Sequence, residues 1–278
     1  MTGDLLRAEV ERITALDRPP EADARAVVER LLGALEAGTV RAAWPSGERW
    51  VVEPWVRAGI LLAFRVGRNR AEHVGCFHFL DRDTLATWDP SAAARDVRIV
   101  PGGTTVRRGA YLAPGVVVMP PAYVNVGAYV DERSMIDSHA LVDSCAQIGR
   151  DVHVSAAAQI GGVLEPIGAF PVIVEGGAFI GGGCGVYEGT RIGRGAVLAP
   201  GVILSRAVPL YDLPSGTILR ASAERPLEVP AGAVVVAGGR PAGGEFARAH
   251  GLTLAAALIV KYRDASTAAA TEIEEALR

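Results

Sequence analysis

Residues 136–162 read IDSHALVDSCAQIGRDVHVSAAAQIGG, and a branched aliphatic residue returns at every sixth position: Ile136, Val142, Ile148, Val154 and Ile160. Six is neither the 3.6-residue period of a helix nor the two-residue alternation of a simple strand. Upstream, the same phase runs without a miss through Val106, Leu112, Val118, Val124 and Val130. Downstream it lapses after Ile160 and resumes at Val174, Ile180, Val186, Ile192, Leu198 and Leu204. The fourteen-residue step from 160 to 174 reads as two hexapeptides plus two inserted residues, the insertion lying in GGVLEPIGAFPV.

A second regularity accompanies the first. Two positions before the aliphatic residue stands a small or modest one: Ala110, Ala122, Ala128, Ser134, Ala140, Ala146, Ala158, Ala178, Cys184 and Ala196. Residues two apart on a strand point to the same side, so each hexapeptide sends one branched and one small side chain inward. Glycine recurs three residues after the aliphatic position, at Gly109, Gly115, Gly127, Gly177, Gly189, Gly195 and Gly201, where a tight turn needs a permissive backbone. Short strands joined by such turns wind a parallel β-helix. With one hexapeptide per side, eighteen residues close a triangular coil, and about five and a half coils stack at ~4.8 Å each.

The remainder of the 278 residues frames this solenoid. LLRAEVERITAL and ADARAVVERLLGALEAG carry apolar residues at helical spacing, separated by Pro19-Pro20 and ended by Gly38. A short hairpin is expected around residues 40–52, then a helix from about Pro54. After about residue 210 the repeat stops. VPAGAVVVAGGRP and LTLAAALIVKYRD read as strands, and STAAATEIEEALR as a closing helix with Ser266 or Thr267 near its start. The expected division is a mainly helical domain over 1–97, the β-helix over 98–210 and a small β/α cap over 211–278.

Composition excludes several functions. A net charge of −3 argues against a nucleic-acid surface. No apolar window is long and unbroken enough to span a membrane, and no secretory signal opens the chain. Three cysteines, Cys76, Cys145 and Cys184, fit a reducing, cytoplasmic setting. Cys184 occupies the small inward slot and reads as packing. A metal site between coils needs converging histidines. Of the two in the repeats, His139 and His153 are fourteen apart rather than eighteen and do not stack, so no metal is expected.

The runs VMPPAYVNVGAYVDERSMIDSHALVDSCAQIG, IGGVLEP and AVVVAGGRP, with LIVKYRD near the end, resemble the tetrahydrodipicolinate N-succinyltransferases over nearly the whole chain. The resemblance implies a left-handed β-helix, a homotrimer, and transfer of succinyl from succinyl-CoA to tetrahydrodipicolinate in lysine and diaminopimelate biosynthesis. Succinyl-CoA is then a co-substrate, and no cofactor is permanently bound. Such chemistry must place the attacking nitrogen against the thioester carbon, remove its proton and hold two substrate carboxylates.

The resemblance assigns residues to these tasks. Asp137, in MIDSHA, matches an essential aspartate. Because it follows inward Ile136, it should point out of the solenoid toward a cleft between subunits; Asp131 and Asp143 fill the same slot in the adjoining hexapeptides, so a solvated or turn-capping role is the alternative for Asp137. Arg98, in VRIVPGG, matches an arginine that binds a substrate carboxylate, and Arg107 and Arg108 stand close enough in sequence to share that role. Glu165 lies in the loop that breaks the repeat, as a substrate contact or a loop anchor. Lys261 and Arg240 fall in the region near the CoA nucleotide. One departure stands out. Where family members carry a Ser-Glu pair after the strand matching AFIG, this chain has Cys184 and Gly185, and the nearest carboxylate is Glu188. Glu188 is therefore a catalytic candidate, on a different face from Asp137 and able to meet it only across a subunit boundary. Acetyl-CoA as donor and a non-catalytic homologue are the alternatives.

Overall fold

The computed structural model describes residues 3–89, 96–166, 168–222 and 224–264. Two-residue strands follow one another at the six-residue period and stack into three parallel sheets. The first face begins with Arg98–Ile99 and takes Val117–Val118, Met135–Ile136, His153–Val154, Phe179–Ile180 and Val197–Leu198. The second runs from Thr105–Val106 through Tyr123–Val124, Leu141–Val142, Gln159–Ile160 and Gly185–Val186 to Ile203–Leu204. The third runs from Tyr111–Leu112 through Tyr129–Val130, Gln147–Ile148, Ile173–Val174 and Arg191–Ile192 to Glu228–Val229. Register partners such as Met135 and His153 differ by one eighteen-residue coil.

The inward set is as the period predicts. From Leu112 to Leu204 the hexapeptide aliphatics are fully buried, and the small residues two before them are at most 6% exposed. Burying a Val, Leu or Ile side chain contributes ~1.5–3 kcal/mol, so each coil adds three such increments. The residue three past each aliphatic is left-handed at the glycines and also at Arg133, His139, Cys145, Asp151 and Ala157, with φ of 56–66°. The corner geometry therefore belongs to the coil, and glycine is only its cheapest occupant.

The break in the repeat differs from the sequence reading. Gln159–Ile160 and Ile173–Val174 lie on successive faces, so the fourteen residues cover one hexapeptide step and eight, not two, are inserted. Periodicity alone cannot separate a looped-out unit from a coiled one. The loop is tethered by Arg57, a fully buried residue that donates to the Ala169 carbonyl.

Helices α1 (Gly3–Thr14), α2 (Glu21–Glu36) and α3 (Pro54–Val66) share a core built on Leu31, Leu32, Val56 and Ile60. Val126 and Cys145, both at the corner after the second face, join that core. The expected hairpin is Ala43–Ser46 with Arg49–Val52. A second hairpin, Asn69–Val74 with Phe77–Arg82, has no counterpart in the sequence reading; its side chains are nearly all exposed, so no buried alternation betrays it.

Beyond residue 210 the stack resumes. Glu228–Val229 adds a rung to the third face, and Val234 and Val235 pair with Val197 and Leu198 on the first. The strand Ala233–Pro241 turns back antiparallel through Thr253–Tyr262, with a short helix, Glu245–Ala249, at the tip. The expected closing helix lies outside the described residues.

Candidate active site

Each strand of the first face ends on an inward aliphatic residue, and the next residue turns out at the corner. Asp137 and Ser155 are those residues on neighbouring rungs, one coil apart. Asp137 is held from both ends: its N–H donates to the Val154 carbonyl at 2.9 Å, and its Oδ1 accepts the Ser138 N–H at 2.7 Å. Its Oδ2 lies 3.6 Å from Nε2 of His153, just outside hydrogen-bond range. The His153 ring meets Phe179 edge-to-face with centroids 5.1 Å apart. Burial pulls the His153 pKa below the ordinary histidine value, against the opposing pull of the Asp137 carboxylate. The imidazole is thus biased toward its neutral form, able to accept a proton at one nitrogen and donate at the other.

Nδ1 and Nε2 of His153 and Oγ of Ser155 are buried without a hydrogen-bond partner. Buried polar atoms are nearly always satisfied, and three exceptions within three residues, beside a part-exposed carboxylate, single this corner out as the candidate site. Asp137 and His153 together can take a proton from an attacking nitrogen and orient the group that holds it.

The other sequence candidates distribute as follows. Arg98 opens the first face, two strands from Met135, or ~10 Å across the sheet, so it shares a face with Asp137 and His153. Glu188 follows the second face; its carboxylate accepts the Arg206 N–H at 2.8 Å and anchors that turn. Within one chain it does not approach the Asp137 corner. Glu165 lies in the inserted loop and lines, with Glu188, Arg206 and Arg225, a separate cavity of about 580 Å³. Lys261 pairs in register with Val234 and Arg240 with Leu254, at opposite ends of the hairpin. About 20 Å of strand separates them, so one phosphate cannot reach both. Lys261 is ion-paired to Asp264 at 2.9 Å. Cys184 is fully buried, and burial raises its pKa, as suits an inert packing thiol. Among the described residues no group of histidines, cysteines and carboxylates is placed to hold a metal ion.

At the departure, Gly185, the structure shows what took the space. A Cβ there would lie 2.5 Å from Cε2 and 2.9 Å from Cζ of Tyr187, and one on Gly161 would lie 2.7 Å from Cδ1 of the same ring. The Tyr187 ring lies across both glycines, where a side chain at position 185 would begin.

Sequence reasoning missed His153, Ser155 and Tyr187. The spacing of His153 from His139 speaks only to a metal role. The eighteen-residue coil held the signal: Ser155 is one coil from Asp137, and His153 one coil from Met135.

The family model described as tetrahydrodipicolinate N-succinyltransferase N-terminal matches residues 7–66. A 2,3,4,5-tetrahydropyridine-2,6-dicarboxylate N-succinyltransferase of Cupriavidus pinatubonensis is 40% identical over 96% of this chain and 94% of its own length. The chain belongs to the tetrahydrodipicolinate N-succinyltransferase family. The corresponding enzyme of Gluconobacter oxydans is 42% identical over 96% of this chain and 95% of its own. A crystal structure from Campylobacter jejuni, described as a candidate 2,3,4,5-tetrahydropyridine-2-carboxylate N-succinyltransferase, aligns with 82% of this chain and 61% of that one at 16% identity and a TM-score of 0.43. As a member of an N-succinyltransferase family the chain is an acyltransferase, and its fold class is that of the family, a left-handed parallel β-helix with an N-terminal helical unit and a C-terminal β/α cap. Among the described residues no helix is long and apolar enough to cross a membrane.

Proposed function

We propose that the chain transfers succinyl from succinyl-CoA to the nitrogen of tetrahydrodipicolinate, giving N-succinyl-2-amino-6-oxopimelate, and that it works as a cytoplasmic homotrimer. The observation that carries this reading is the Asp137 corner, which holds a part-exposed carboxylate beside a half-buried imidazole, in a chain about 40% identical to N-succinyltransferases along nearly its full length. Water adds across the ring C=N bond, so the nitrogen carries a proton. That nitrogen attacks the thioester carbon, the new C–N bond forms, the C–S bond breaks with release of the CoA thiolate, and the hydrated ring opens at its C–N bond to the 6-oxo group. Asp137, backed by neutral His153, takes the nitrogen's proton. Arg98, on the same face, holds a substrate carboxylate. Lys261 and Arg240, along the hairpin that extends that face, serve separate parts of the CoA. Glu165 and Glu188 line a neighbouring cavity and would enter only if an adjoining subunit brings it to the Asp137 corner.

Gly185 favours one second reading, a homologue that binds CoA without turnover. The deciding measurement is thiol release by the purified protein with tetrahydrodipicolinate as acceptor. Rapid, acceptor-dependent release from succinyl-CoA supports the proposal. Preference for acetyl-CoA would reassign the donor. No release from either donor, with CoA still bound, would favour the non-catalytic reading.

A further inference from the structure

On the third face, away from the Asp137 corner, a cleft of about 1000 Å³ lies under the Ala43–Ser46 and Arg49–Val52 hairpin. Its inner wall includes Arg41, only 8% exposed. The guanidinium carbon is 3.5 Å from the Tyr129 ring centre and 5.3 and 5.6 Å from those of Trp44 and Trp50. Nε donates to Oε1 of Gln147 at 2.9 Å. Those contacts fix the group without an ion pair: among the described residues no carboxylate stands within ion-pair distance of it, and the Asp131 carboxylate acts on it only from farther off. Arg191, in the same cleft, makes the contrast, since Glu175 neutralises it at 2.7 Å.

A buried charge is costly unless it is paired. Two further arginines, Arg150 and Arg194, stand exposed at the rim, each two residues past an inward isoleucine and two rungs, or ~10 Å, apart along the stacked corners. Neither guanidinium has an ion-pair partner among the described residues. Three carboxylates also line the cleft. Asp131 accepts the Glu132 N–H at 2.9 Å, Glu228 lies 3.8 Å from Arg191, and Glu48 is exposed; none pairs with Arg41.

We propose that this cleft is a second ligand site, which takes a small molecule through an oxyanion group, carboxylate or phosphate, held by Arg41 at its base and by Arg150 and Arg194 at its rim. A guanidinium presents a planar fork of donors suited to both groups, and the volume matches sites for small molecules. The site uses none of the residues assigned to acyl transfer.

The test is calorimetric titration of the full chain with sodium succinate in one arm and sodium pyrophosphate in the other. Saturable binding in at least one arm is expected, and the responding arm identifies the oxyanion. Arg41→Gln should weaken it at least tenfold. Because Arg41 also packs against three rings, the Arg150→Gln/Arg194→Gln double variant, altered only at exposed positions, provides the second measurement and should weaken it severalfold. Binding in neither arm overturns the proposal, as does binding that both variants leave unchanged. A parallel titration with CoA that loses affinity in the double variant by the same factor would assign these arginines to the acyl donor and overturn a separate site.

Discussion

Replacing Gly185 by alanine tests the packing at the position where the family resemblance leads one to expect a glutamate. The strand backbone there is not left-handed, so an L side chain is not excluded by φ. In an otherwise open strand Gly→Ala gains ~0.5–1 kcal/mol, because alanine loses less backbone freedom on folding. Here the new Cβ meets the Tyr187 ring at 2.5 Å and Cδ1 of Ile203 at 2.9 Å. The isoleucine methyl can turn aside; a ring lying across two glycines cannot without losing its own packing. Overpacking of this kind costs ~1–3 kcal/mol. Gly185→Ala should therefore destabilise by about 1 kcal/mol in the native background and be neutral or slightly stabilising in the Tyr187→Val background. The cycle should then show a coupling of about 1–2 kcal/mol. Urea unfolding of the four proteins at one fixed protein concentration measures it. Additivity within ~0.5 kcal/mol would refute the argument that Tyr187 occupies the side-chain space of position 185. The same logic predicts that Gly185→Glu folds well only together with Tyr187→Val, which is the background in which a restored carboxylate can be assayed for turnover.

Exposed Ala157, at φ 58°, bears a left-handed corner that a glycine would hold at less cost; Ala157→Gly should stabilise by ~0.5–1 kcal/mol, and a lower urea midpoint would contradict the corner argument. Asp137→Asn should lower acceptor-dependent thiol release by ~10²–10⁴-fold with the fold intact by circular dichroism, and near-native turnover would remove Asp137 from the chemistry. Folded His153 has a pKa below its ordinary 6.5, so the unfolded chain binds that proton more readily. Stability should therefore be full above that value, fall as pH drops through it and level off once the folded imidazole is protonated. His153→Gln should flatten part of the fall in urea midpoint between pH 8 and pH 5, and an unchanged pH dependence would show that His153 is not the group responsible.

The coil was legible because its cause is local and repeated. Every hexapeptide meets the same demand, one branched and one small residue inward and a left-handed corner three residues on, so Ile136 or Ala146 could be placed inside from spacing alone. Asp137 was legible for the same reason, as the residue after an inward isoleucine, and family resemblance gave it a task. The size of the insertion after Ile160 was not legible, since a chain that leaves the stack carries no phase; only the pairing of Gln147 with Ile173 shows where it returns. His153 and Ser155 gained meaning from stacking, which sets residues one coil apart side by side and left their polar atoms unsatisfied beside Asp137. The Tyr187 ring over Gly185 depends on a side-chain direction that no spacing encodes. Arg41 reaches Gln147 across 106 residues of sequence, and its burial without an ion pair exists only because the hairpin folds over the third face. The period determines which residues face in; what the outward residues meet is decided by the elements that pack against the coil.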